Sequence, residues 1–190
     1  MIYLFFFLFF SAFGSLAAEV ESVTVTWTAL HCKKTCIDLL QKQFSKIHGV
    51  QEILFNQNAG QVVLKWKKNE PFSFSPVNVA MELVGLTIND IRVRVKGKLQ
   101  HTSRDVILVS TGDNTRFYLL NPVKGAKNSS SMEFNTSARQ LQPELRKKLL
   151  DAEVADQIAT IDGPLLFPER SPPLTLVVDR LSLANPEEES

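Results

Sequence analysis

The sequence predicts an α+β protein in two parts: a β-α-β-β-α-β unit, then a small β-barrel carrying one helix. Three observations predict it. Between residues 22 and 99 the apolar period switches repeatedly between two residues and the helical 3.6. Gly, Pro, Asn and Ser stand at most of those switches, where a chain turns. Beyond residue 100 the texture changes to short strands broken by turn residues, with one helical stretch among them.

The elements follow in order. Residues 1–18 read as a signal peptide: Phe5 to Phe10 lie in an apolar run of about a dozen residues, and Ser15, Ala17 and Ala18 suit cleavage. The run is short of the roughly 20 residues that a membrane-spanning helix needs. Val23, Val25 and Trp27 then alternate with Thr24, Thr26 and Thr28, the period of a half-buried strand. Ile37, Leu40, Phe44 and Ile47 share one helical face, with Asp38, Lys42, Ser45 and Lys46 on the wet side. Gly49 is expected to stop that helix as a left-handed cap.

Two short strands, 50–55 and 61–66, flank the turn residues Asn56 to Gly60. A second helix is expected from Ser75, as cap, and Pro76, as first residue, to Gly85. Val77, Ala80, Met81 and Val84 form its apolar face. From Leu86 to Leu99 the period returns to two, with Ile91, Val93 and Val95 alternating against Arg92, Arg94 and Lys96. This order is that of the ferredoxin-like split βαβ arrangement, in which both helices cover one face of a four-stranded antiparallel sheet.

In the second half, 106–110 and 116–120 read as strands around the turn Thr111-Gly112-Asp113-Asn114. A polar stretch, 124–136, precedes a helix over 138–152 with Leu141, Leu145, Leu149 and Leu150 on its buried side. Strands over 156–162 and 174–183 follow, punctuated by Gly163-Pro164 and Ser171-Pro172-Pro173. Counting the strand that ends near Leu99, this is β-β-β-α-β-β, the element order of an OB-fold barrel. Val95-Lys96-Gly97-Lys98-Leu99 resembles the first strand of such barrels, where a glycine allows a sharp bend. The expected organisation is therefore a signal peptide (1–18), a ferredoxin-like domain (19–97), an OB-like β-barrel domain (98–184) and a disordered tail (185–190).

Chemistry concentrates at His31-Cys32-Lys33-Lys34-Thr35-Cys36, which holds both cysteines at a strand-to-helix turn. Thiols at a helix N-terminus beside Lys33 and Lys34 are favoured as thiolates. Soft thiolates suit Cu(I), with His31 available as a third ligand. Zinc fits less well, because a closed structural site takes four ligands and the chain has three histidines. Alternatively, residues four apart on a helix lie roughly 6 Å from each other, within the range that a disulfide spans. Export favours that oxidation. Inert thiols are the third reading.

Residues 22–96 resemble the heavy-metal-associated (HMA) domain of copper chaperones, mercury-binding periplasmic proteins and metal-pumping ATPases. The likeness rests on the cysteine loop after the first strand, the distance from Cys36 to Gly49-Val50, the Asn-Ala-Gly turn after Phe55, and Ala80 to Gly85 before the last strand. The family's loop is Met-x-Cys-x-x-Cys; here it is Cys-x-x-x-Cys, with Lys33 where the family's first cysteine falls and no methionine. The resemblance implies a ferredoxin-like fold and a soft-metal site on Cys32 and Cys36.

Composition narrows the function further. The net charge is +1, from 21 basic and 20 acidic residues, which gives no attraction toward nucleic acid or an anionic membrane. Phe117, Tyr118, Phe134 and Phe167 lack a basic surround and read as core. His48 and His101 read as structural or solvated. Asn128 and Asn135 sit in glycosylation patterns, which matter only in a eukaryotic secretory pathway. No phosphate loop, Gly-x-Ser-x-Gly or His-Glu-x-x-His is present.

The expectation is an exported, non-enzymatic protein, periplasmic or secreted, that binds a soft metal for transport or sequestration. Its partners would be the metal ion and a metal-transfer or envelope protein, without nucleic acid or stable membrane insertion after signal cleavage. The alternative is an interaction module in which Cys32 and Cys36 form a structural disulfide.

Overall fold

The structure is a computed structural model that describes residues 20–28, 34–122 and 140–185. The expected signal peptide, His31, Cys32, Asn128, Phe134, Asn135 and residues 186–190 lie outside the described residues.

Nine strands and three α-helices are formed among the described residues: β1 (Val20–Thr26), α1 (Lys34–Phe44), β2 (Val50–Asn56), β3 (Gln61–Trp66), α2 (Phe74–Glu82), β4 (Asp90–His101), β5 (Val106–Val109), β6 (Arg116–Leu120), α3 (Pro143–Val154), β7 (Ile158–Leu166), β8 (Leu174–Val177) and β9 (Arg180–Ala184). The fold is mixed α and β. The strands join in one sheet, in the order β2-β3-β1-β4-β5-β6-β8-β7-β9, and β4 also pairs with β7. That extra pairing closes β4, β5, β6, β8 and β7 into a five-stranded barrel, compatible with an OB-like part. Its β6–β8 pair is parallel, whereas the other pairings are antiparallel.

β4 belongs to both parts, and its register shows how. Along one edge it pairs with β1 from Asp90 to Val95, then with β5 from Lys98 to His101. Along the other edge it pairs with β7 from Arg92 to Lys98. The neighbour changes at Gly97, where an added Cβ would lie 2.4 Å from the Val109 carbonyl oxygen. Glycine is required there by close approach of the β5 backbone.

β7 repeats the device. It pairs with β9 over Ile158 to Asp162, then with β8 at Leu165 and Leu166. The change falls at Gly163, whose Cβ would lie 1.8 Å from the Val177 carbonyl oxygen. The expected break at Gly163-Pro164 is therefore a partner switch inside a continuous strand. The expected strand over 174–183 is in turn two strands. The chain bends at Val178 and Asp179, where the Val178 N–H donates to the Leu120 carbonyl and the Asp179 N–H to that of Asp162.

Several expectations about helix ends change. α1 ends at Phe44, and Gly49 is absent from the positive-φ positions. Its Cβ would lie 2.5 Å from the Trp66 ring, so glycine serves packing there instead of a cap. α2 starts two residues early, with Ser73 at the cap position and Pro76 inside the first turn. Gly85 does end it, at φ 73°, with the Leu86 N–H donating back to the Met81 carbonyl. Between β2 and β3 the expected turn is a single 3₁₀ turn closed by Gly60 at φ 57°.

Burial follows the predicted faces. Leu40, Phe44, Val77, Ala80 and Met81 pack onto Val23, Val25, Val62, Leu64 and Val93, and Leu149 and Ala152 of α3 join the barrel interior. All belong to one contiguous core that also holds Leu108, Phe117, Ile161 and Leu176. A hydrogen bond from the Phe72 N–H to Asp113 adds a polar tie, from the loop before α2 to the β5–β6 turn.

Candidate functional site

Three places carry chemistry: the cysteine turn, the polar face of β4, and a groove beside α2. At the turn, Cys36 sits in the first turn of α1, half-buried and packed against the core. Its sulfur is disulfide-bonded. His31 and Cys32, the other two expected ligands, lie outside the described residues. Elsewhere among the described residues, no three His, Cys, Asp or Glu side chains come together as a metal cage. Trp27 leads from the end of β1 toward the turn, and its indole N–H is buried without an acceptor among the described residues.

The polar face of β4 carries Arg92, Arg94, Lys96 and Lys98 at alternate positions, a basic stripe set by the strand period. It is matched by carboxylates. Arg92 bridges Asp162 of β7 and Asp179 at the β8–β9 bend, both at 2.9 Å. Arg94 pairs with Glu21 of β1, and Lys98 with Asp156 before β7. Burial works against the Arg92 charge, but hydrogen bonds to Asp162 and Asp179 outweigh it and raise its pKa. These pairs link β4 to β1, to β7 and to the β8–β9 bend.

The two described histidines also face carboxylates: His48 pairs with Glu70 at 3.0 Å and His101 with Glu153 at 2.7 Å. Phe117 is buried in the core, as expected, whereas Tyr118 is partly exposed.

Phe167 lies outside that pattern. It stands just after β7 at φ 51°, a conformation unusual for a bulky residue, and Arg170 lies 4.2 Å from its ring centroid. With Pro168 and Glu169 it faces Phe74 and Asn78 of α2 across a groove of about 360 Å³ that reaches Asn89 and Asp90 at the start of β4. Burial raises the Asp90 carboxyl above its usual range, more than the nearby Arg92 charge and the Ile91 N–H lower it. Sequence reasoning passed over Asn78, Asn89, Asp90 and Glu169, because they come together only when the β7–β8 loop lies against α2. Ser171-Pro172-Pro173 was the available signal, and it read as punctuation between strands.

Comparison of the chain with models of known families, with curated proteins and with solved structures found no match.

Proposed function

We propose that the chain is an exported, non-enzymatic interaction module whose Cys32 and Cys36 form a structural disulfide at the head of α1. The observation that carries this reading is the oxidised state of Cys36. The chain has one other cysteine, four residues away, at a separation an intrachain bridge can span. A disulfide sulfur lacks the anionic lone pair that makes thiolate a soft-metal ligand, so the bridge and the metal site exclude each other.

Architecture supports a scaffold role. We assign the first part to the ferredoxin-like class, on the antiparallel order β2-β3-β1-β4 with α1 and α2 over one face. The second part we assign to the OB class, on the order β4-β5-β6-β8-β7, the parallel β6–β8 pair, and α3 between β6 and β7. The likeness to heavy-metal-associated domains then concerns the fold. Soft-metal binding in transport or sequestration becomes a property that the reduced protein alone would have.

Titration with Cu(I) against a competing chelator, before and after reduction, tests this. The protein as isolated is expected to take up no stoichiometric Cu(I). Uptake of one equivalent without reductant, lost in Cys32→Ser and Cys36→Ser, would establish the metal reading instead.

A further inference from the structure

The groove beside α2 has a composition that selects its occupant. Among the described residues, its lining contains no Lys, Arg or His. It does contain the carboxylates of Asp90 and Glu169 and the side-chain amides of Asn78 and Asn89. Each amide directs its nitrogen at a neighbour outside the groove: Asn78 to Glu82 at 2.7 Å, and Asn89 to the Thr28 hydroxyl at 3.1 Å. Their amide oxygens remain as acceptors, beside the two carboxylates and the Thr87 hydroxyl.

Two cations stand near: the Arg92 charge acts on Asp90, and Arg170 lines the adjoining cavity, where the two carboxylates outnumber it in the combined lining. Arg92 is held by Asp162 and Asp179, and Arg170 stacks on Phe167 in the adjoining cavity. That second cavity, about 400 Å³, shares Phe74, Asn78, Pro168 and Glu169 with the first and extends it past Ser73 and Pro172. The two adjoin as one trough at these shared residues, with apolar rings and prolines in the lining beside the carboxylates.

We propose that this trough docks a basic segment of a partner polypeptide. A lysine or arginine is directed at Asp90 and Glu169, and an adjacent apolar side chain lies against Phe74 and Pro168. Charge complementarity selects the cation, and two adjoining cavities of about 360 and 400 Å³ give room for neighbouring side chains of one segment. The inference rests on reading the chain as an interaction module and supplies its partner chemistry. It does not depend on the state of Cys36.

The test is an NMR titration of the ¹⁵N-labelled protein, disulfide intact, with the peptide Ac-ALKLRA-NH₂. Its acidic counterpart Ac-ALELEA-NH₂ and free spermidine serve as comparisons. The basic peptide is expected to shift amides confined to 73–78, 87–91 and 165–170. In the double variant Asp90→Asn, Glu169→Gln, whose near-isosteric changes keep the fold, its Kd is expected to rise about tenfold. No shifts, shifts elsewhere, equal binding of the acidic peptide or spermidine, or a Kd unchanged in the variant would overturn the assignment. Such a failure removes the partner and leaves the disulfide reading to its own titration.

Discussion

At the scale of single residues, two glycines decide how the sheet can turn. Gly97 and Gly163 each sit where a strand changes neighbour along one edge, and each admits a carbonyl oxygen into the space a Cβ would fill. Backbone cannot step aside as a flexible side chain can. Gly163→Ala, facing the closer oxygen, is therefore expected to cost about 3 kcal/mol in urea unfolding, the upper end of ordinary overpacking. An alanine variant as stable as wild type would show that the strands can separate there.

Asp90 provides a test of opposite sign. Its carboxyl, raised above the ordinary 3.8, binds its proton more tightly in the folded chain than in the unfolded one. Its contribution therefore favours folding most fully below pH 3.8 and is lost as pH rises through the raised value. Asp90→Asn stays neutral throughout. Relative to wild type it should be more stable at about pH 7 than at about pH 4, read from paired urea melts. A difference between the two proteins that is independent of pH would contradict the desolvated setting.

At the scale of elements, periodicity told most of the story. The alternation around Ile91, Val93 and Val95 and the helical spacing of Leu40 and Phe44 both correspond to buried faces. These patterns were legible because burial on one face is a local property of a strand or a helix. Partner choice was not legible. Gly163 looked like a terminator because a glycine followed by a proline usually is one; only the Val177 carbonyl, brought in by β8, explains it. Gly49 misled in the same way, since the Trp66 ring that lies over it comes from β3. The groove was invisible for the same reason: Asp90 and Glu169 are far apart in sequence, and the β7–β8 loop unites them.

For α1, the proposed bridge closes only the short loop 32–36, so little unfolded-chain entropy is removed. Reduction should cost about 2 kcal/mol by the loop-closure relation and leave the helix folded. Loss of far-UV helical signal on reduction would show that the bridge holds α1 itself in place.

At the scale of the whole molecule, β4 is the common member. It completes the four-stranded order β2-β3-β1-β4 and also forms one wall of the barrel. The apolar core is continuous across both parts. The boundary expected after residue 97 falls within this strand. Residues 19–97 and 98–184, made separately, would each carry a fragment of β4, and neither is expected to give dispersed amide spectra. The intact chain should unfold in one transition, with tryptophan fluorescence from Trp27 and Trp66 in the first part coinciding with far-UV signal from both. Two separated transitions would mean that β4 does not couple the halves.

On the proposed reading this scaffold carries an oxidised cysteine turn, whose redox state is read from intact mass. Protein taken from its native compartment, alkylated under denaturing conditions without reductant and weighed intact, is predicted to carry no adduct. After reduction it should carry one on each of Cys32 and Cys36. Two adducts without reductant would show free thiols, and the turn would then be the metal site that its resemblance to heavy-metal-associated domains implies.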